Sequence, residues 1–178
     1  MLPPASCFLA APAPYNRRRG SIRCGGAAGR EVMPKQFEYA LELPLAPEAV
    51  FRVLTDTARW RHSKMYGDIR WIEGKPWAPG SVREVETLIP IPARHLQRVL
   101  AVRENELLEV LSYGFGYTND IQLALAQTPG GGTKLRISNL IEGELPLGDG
   151  VVLETYMARI LETYLEELRR LCAEESAC

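Results

Sequence analysis

The chain has 178 residues, of which 46% are hydrophobic and 24% charged, a composition typical of one globular domain with a sizeable core. Residues 1–32 hold five arginines and one glutamate, and subtracting these from the totals of 21 basic and 22 acidic residues leaves 16 and 21 for residues 33–178. This acidic balance excludes the basic surface that nucleic-acid binding requires, and no apolar run is long enough for integral membrane association.

Residues 1–32 are predicted to form a disordered leader, because they are rich in Ala, Gly and Arg and show no hydrophobic periodicity. Three interpretations stay open. Met33 is the true start and the upstream residues are translated flanking DNA, or the segment is an organellar transit peptide, or it is a tail that binds an anionic partner. Residues 33–178 are predicted to form one domain.

The domain is predicted to begin with one strand and two short helices. Residues 37–43 alternate apolar and polar side chains, which is the period of a half-buried strand, and Pro44 ends the strand. Pro47 suits the first position of a short helix. A second short helical turn begins at residues 55–57 and carries Trp60.

Six further strands and a long final helix are predicted after these. Proline and glycine turns separate the strands, which are expected at residues 68–73, 81–89, 94–103, 107–115, 121–127 and 134–141. The helix is expected from residue 150 to 172, with Asp149 as its N-cap.

The final helix has an unusually wide apolar face. Such a face needs a broad partner, and a long helix laid across a curved antiparallel sheet tends to enclose a cavity. Two apolar rows at helical spacing form the face: Leu153, Met157, Ile160, Tyr164 and Leu171 in one, and Val151, Thr155, Ala158, Leu165, Leu168 and Cys172 in the other.

Several short motifs are informative in combination, although each is loose by itself: residues 43–60, Trp71, Pro-Gly-Ser at 79–81, Gly-Gly-Thr-Lys-Leu at 131–135, and the terminal helix. Together they resemble the START-like, or SRPBCC, superfamily, which includes Bet v 1-type and polyketide cyclase/dehydrase-like proteins. The resemblance covers roughly residues 35–172. It implies an α+β helix-grip fold, in which a seven-stranded antiparallel sheet wraps around a long C-terminal helix and a pocket lies between them. Such pockets hold lipids, sterols, hormones or polyketides, and only some members are enzymes.

Large side chains around the expected pocket are the candidate ligand contacts. Odd-numbered positions after residue 110 are predicted to face the terminal helix, with plain core packing as the alternative. The three tryptophans are expected at the pocket entrance, where they form an apolar rim or anchor the small helices to the sheet. The candidates are Trp60, Trp71, Trp77, Arg83, Leu111, Tyr113, Phe115, Tyr117, Tyr156 and Met157.

Catalysis has only weak candidates in the sequence. His62 is the best candidate for a general acid or base, although a loop histidine without a visible partner is more often a solvated surface residue. Arg83 is predicted to face the interior of the sheet, where its cation would bind a ligand carboxylate or phenolate. A register shift of one residue would instead turn it to solvent. The resemblance to polyketide cyclases makes Arg83 with Tyr113 and Tyr117 the set that an enzyme would need. His95 is expected at the surface.

The four cysteines and two histidines show no metal-ligand spacing, so we predict no metal, no cofactor and no disulfide framework. A reducing, cytoplasmic location is expected, with organellar targeting by residues 1–32 as a minor alternative. The predicted function is binding of a small hydrophobic molecule, lipid-like or polyketide-like, by a monomer or weak dimer. The alternatives are a polyketide cyclase/dehydrase-like enzyme and a protein-interaction module that docks through exposed tryptophans.

Overall fold

The computed structural model describes residues 33–114, 116–145, 147 and 150–177, so the expectations for residues 1–32, Phe115 and Asp149 lie outside the described residues. The elements are β1 (Lys35–Leu43), α1 (Pro47–Thr55), α2 (Thr57–Trp60), β2 (Tyr66–Glu73), β3 (Val82–Thr87), β4 (Ala93–Arg103), β5 (Leu107–Gly114), β6 (Tyr117–Gln127), β7 (Thr133–Gly143) and α3 (Leu153–Ser176).

All seven strands join one antiparallel sheet in the order β1-β7-β6-β5-β4-β3-β2. The main core lies between one face of this sheet and α3, where Leu135 and Ile137 of β7 share a buried cluster with Leu168 and Leu171. The predicted α+β helix-grip architecture is confirmed. No helix in the described ranges is long and apolar enough to cross a membrane.

The two short helices form a compact cap after β1. Pro47 occupies the first turn of α1, where a missing N–H costs nothing. Asp56 caps α2, because its Oδ1 accepts hydrogen bonds of 3.1 Å from the backbone N–H groups of Ala58 and Arg59. The indole of Trp60 donates to the Val53 carbonyl at 2.9 Å and so ties α2 to α1.

Helix α3 begins at Leu153, later than predicted, and its N-cap Val152 makes no side-chain capping hydrogen bond. Of the second predicted apolar row, Val151, Thr155 and Ala158 are exposed, so that part of the prediction is wrong, whereas Leu168 and Cys172 are buried as predicted. The most continuous apolar stripe that faces the sheet has alternating spacings of four and three residues. Its members are Met157, Leu161, Tyr164, Leu168 and Leu171.

The C-terminal end of α3 is held against α1 and α2 by a pair of ionic contacts. Glu175 accepts from Arg52 at 3.1 Å and from Arg59 at 2.6 Å. Both arginines hold the pKa of the Glu175 carboxyl below its usual value, Arg59 more than Arg52. The position of the helix across the sheet is therefore set by apolar packing along the stripe and by these contacts at its end.

Candidate ligand-binding cavity

A cavity lies between the inner face of the sheet and α3. Its volume is about 100 Å³, and the atom-free space reaches about 690 Å³ when the part open to solvent is counted. Most of its walls are apolar. The lining residues are Leu54, Trp60, Met65, Tyr66, Trp77, Arg83, Gln97, Leu108, Val110, Ile121, Leu123, Ile137, Asn139, Ile160, Leu161 and Tyr164.

One wall consists of three aromatic rings in contact with one another. Trp60 lies parallel to Tyr164 of α3, with ring centroids 4.9 Å apart, and meets Tyr66 edge to face at 5.7 Å. Such arrangements stabilise aromatic pairs beyond their buried area. Burial raises the pKa of both tyrosine hydroxyls, so Tyr66 and Tyr164 stay neutral and can only donate or accept hydrogen bonds.

Arg83 projects from β3 into the cavity wall beneath a second pair of aromatic rings. Its guanidinium lies 4.4 Å from the centroid of Trp77 and 5.6 Å from that of Trp71. Trp77 has a φ of 61°, a region that non-glycine residues rarely adopt, and its indole donates to the Thr55 carbonyl at 2.7 Å. The strained backbone and this hydrogen bond fix the ring over the cation.

A chain of polar side chains continues from Arg83 onto β4. The Arg83 Nε and Nη2 atoms donate to Gln97 Oε1 at 2.9 and 2.7 Å, and Gln97 Nε2 lies 3.2 Å from His95 Nε2. Because the Gln97 amide nitrogen can only donate, His95 Nε2 is the acceptor and its proton is on Nδ1. Burial, and to a lesser extent the nearby Arg83 cation, lower the pKa of His95 to about 4. The expectation that His95 lies at the surface is wrong, because its position on β4 pairs with inward-facing Val85.

A second polar spot lies on the neighbouring strands β6 and β7. Asn119 Nδ2 donates to Asn139 Oδ1 at 3.1 Å. Asn139 is 4% exposed and lines the cavity. Asn119 Oδ1 and Asn139 Nδ2 are buried without a hydrogen-bond partner among the described residues. A ligand hydroxyl or carbonyl at this position would satisfy one of these groups.

Strand β5 presents the opposite face from the one expected. Even-numbered Leu108 and Val110 line the cavity, whereas Leu111 and Tyr113 do not. Both faces of β5 carry apolar residues, so alternation alone could not determine which one turns inward. The predicted trio of Arg83, Tyr113 and Tyr117 is therefore not assembled, and Arg83 has Tyr66 and Tyr164 as its tyrosine neighbours instead.

The remaining candidates lie outside the cavity lining. Tyr117 hydrogen-bonds the Ser112 side chain and lies near Tyr156, and burial raises the pKa of both tyrosines. Met157 belongs to the core, and His62 is exposed in the turn after α2.

Trp71 packs against a residue of the cavity wall. It meets Trp77 edge to face at 5.4 Å and does not itself line the space. Trp60 is buried, at 4% exposure, and Trp71 and Trp77 are half-buried, so none of the three tryptophans forms an exposed patch. In the described ranges, no cluster of His, Cys, Asp or Glu is arranged to hold a metal ion.

Nine apolar lining residues were not among the candidates from the sequence, and neither were four that carry polar groups: Tyr66, Gln97, Asn139 and Tyr164. Tyr164 was predicted to lie on the apolar face of the final helix, but it was not among the candidate ligand contacts. The three on strands carried one usable signal, which is a polar or amphipathic side chain at an inward position of an otherwise apolar strand face.

The seven-stranded sheet, the two short helices and α3 together form a helix-grip fold of the kind seen in Bet v 1, as the motifs in the sequence implied. The crystal structure of Ara h 8.0201, a Bet v 1 allergen, is similar, with a TM-score of 0.66 and 15% sequence identity. The match covers 82% of this chain and 100% of that one. At this identity the likeness shows the fold alone. No protein-family model and no curated protein sequence matches the chain.

Proposed function

We propose that this protein binds a small, largely apolar molecule in the cavity between the sheet and α3. The observation that carries the proposal is the lining, in which apolar and aromatic side chains surround the space and polar groups reach it at only a few points. The resemblance to proteins whose pockets hold hydrophobic molecules supports the same conclusion.

The size of the cavity sets the expected affinity. A volume of about 100 Å³ fits a ligand built around one ring, and the opening to solvent leaves room for a second ring. Burying ~250 Å² of apolar surface at ~25 cal/mol per Å² gives about 6 kcal/mol before ordering costs. That free energy corresponds to a Kd in the tens of micromolar at best. Weak and broad binding is therefore expected.

The proposal does not include a catalytic step or a docking surface. The enzyme alternative rested on Tyr113 and Tyr117 beside Arg83, and these tyrosines do not line the cavity with it. The docking alternative required exposed tryptophans, and all three are buried or half-buried. Neither alternative gains a supporting observation from the arrangement of the side chains.

Native mass spectrometry of freshly purified protein tests the proposal directly. The expected result is an added mass of one small molecule that disappears when the protein is unfolded. Calorimetric titration with 2-naphthamide, a neutral two-ring probe, provides the quantitative measurement.

A cavity-filling variant locates the bound probe. Ile121 lines the cavity, and Ile121→Trp should weaken 2-naphthamide binding at least ~10-fold while costing about 1–3 kcal/mol of stability. Ile72 is 47% exposed on β2, so Ile72→Trp is the matched control and should bind like the original protein. A folded Ile121→Trp variant that binds with unchanged affinity would show that the ligand lies elsewhere.

A further inference from the structure

Arg83 is the one charged side chain among the described residues that line the cavity. Several other arginines pair with carboxylates, as Arg70 does with Glu84 at 2.8 Å and Arg59 with Glu175 at 2.6 Å. Arg83 has no acidic partner in the described part of the chain; its hydrogen-bond acceptor is the neutral Gln97 amide. A cation placed in an apolar wall without a counter-charge is costly, so a ligand that supplies the charge gains affinity there.

The contacts around the guanidinium leave a defined part of it open. The guanidinium carbon lies 4.4 Å from the Trp77 ring centroid and 5.6 Å from that of Trp71, and Gln97 Oε1 accepts hydrogen bonds on its Nε side. The two Nη1 hydrogens and one Nη2 hydrogen have no partner among the described residues, and they lie at the end of the planar fork. Two adjacent N–H groups in one plane match the two oxygens of a carboxylate.

The groups that surround Arg83 add no negative charge. Tyr66 and Tyr164 are neutral, because burial raises their pKa values, and His95 is neutral at physiological pH. Burial also lowers the pKa of Arg83 itself to about 10, which leaves it protonated at neutral pH. The cavity therefore carries one net positive charge at a fixed point of its wall.

We propose, on the premise that the cavity binds a small apolar molecule, that this molecule is a carboxylic acid whose carboxylate pairs with the open Nη edge of Arg83. Its apolar body then lies against the aromatic wall of Trp60, Tyr66 and Tyr164. The ligand class is thus an aromatic or short-chain acid rather than a neutral lipid or sterol.

Two probes of nearly equal shape separate charge from apolar fit. The ligand 2-naphthoate is ionised at neutral pH, whereas 2-naphthamide replaces the carboxylate by a neutral amide. A charge-assisted hydrogen bond in a dry site contributes about 1.5–3 kcal/mol, so 2-naphthoate should bind the original protein roughly 10- to 100-fold more tightly than 2-naphthamide by calorimetry.

Arg83→Gln should remove that preference. This variant keeps an amide that can still donate to Gln97, and it should lower the affinity for 2-naphthoate at least ~10-fold while changing that for 2-naphthamide by less than ~2-fold. Arg98 is exposed on β4, and Arg98→Gln removes the same charge outside the cavity, so it should leave both affinities unchanged. Arg83→Met provides a second neutral variant if Arg83→Gln does not fold.

The possible results distinguish this inference from the broader proposal. If both probes bind the original protein equally well, the cavity is not selective for a carboxylate. The inference is then overturned, while the proposal of ligand binding stands. Equal losses for both probes in a folded Arg83 variant would also overturn it, since they would indicate a structural role. If neither probe binds, the proposed function fails as well.

Discussion

The half-buried imidazole of His95 should make the stability of the protein depend on pH in a defined window. Its pKa is lowered from an ordinary 6.5 to about 4 in the folded state, first by burial and then by the nearby Arg83 cation. The unfolded chain therefore binds a proton at a higher pH than the folded protein. Stability is fully present above pH 6.5 and is lost as the pH falls toward 4.

The magnitude follows from the size of the shift. A difference of ~2.5 pKa units at 1.36 kcal/mol per unit gives about 3 kcal/mol of stability lost between pH 7 and pH 4 through this one group. His95→Gln removes the titration and keeps a side chain that can hydrogen-bond Gln97. The variant should therefore lose about 3 kcal/mol less than the original protein over this interval.

Urea unfolding followed by tryptophan fluorescence at pH 7, 5.5 and 4 measures the effect. Carboxylates that titrate in the same range contribute to both proteins alike, so the difference between the two curves isolates His95. His62→Gln makes the same exchange in an exposed turn and controls for the loss of an imidazole. A constant difference between the original protein and His95→Gln at all three pH values would refute the assignment of a half-buried, neutral imidazole.

Two further pairs of substitutions test the packing of the fold. Gly132→Ala would place a Cβ atom 2.5 Å from the Leu43 carbonyl oxygen and should cost more than about 1 kcal/mol of unfolding free energy, whereas Gly130→Ala meets nothing within 4 Å and should change it by less than about 0.5 kcal/mol. Equal urea midpoints for the two variants would contradict this contrast. Leu168→Ala, at a position with 0% exposure under the sheet, should cost about 2–5 kcal/mol, while half-buried Leu165→Ala should cost less. Thermal unfolding that ranks them in the reverse order would show that the stripe on α3 is wrongly placed.

The fold was predictable because its determinants are local. Proline and glycine punctuate the strands, Pro47 and Asp56 mark the starts of the small helices, and the apolar spacing of the last helix is regular. These signals set the number, type and order of the elements, and the family resemblance supplied the arrangement. The boundaries differ from the predicted ones by a few residues, chiefly where β6 begins at Tyr117 rather than residue 121.

The cavity was less predictable because its lining depends on strand register. A slip of one residue exchanges the two faces of a strand, and β5 offered an apolar face either way, so Leu111 and Tyr113 were assigned inward in error. On β3 the same reasoning predicted Arg83 to face inward, where it lines the cavity, because Glu84 and Glu86 mark the opposite face as polar. Register is therefore predictable where only one face is apolar.

The polar part of the site shows why pairing across strands matters more than any single motif. Arg83 and Gln97 are 14 residues apart in the chain yet lie directly opposite each other on β3 and β4. Neither residue forms a recognisable motif alone, and a lone inward glutamine would usually be interpreted as packing. Their juxtaposition leaves the end of the guanidinium open while its sides are covered, and this geometry gives a largely apolar cavity the means to select one chemical class of ligand.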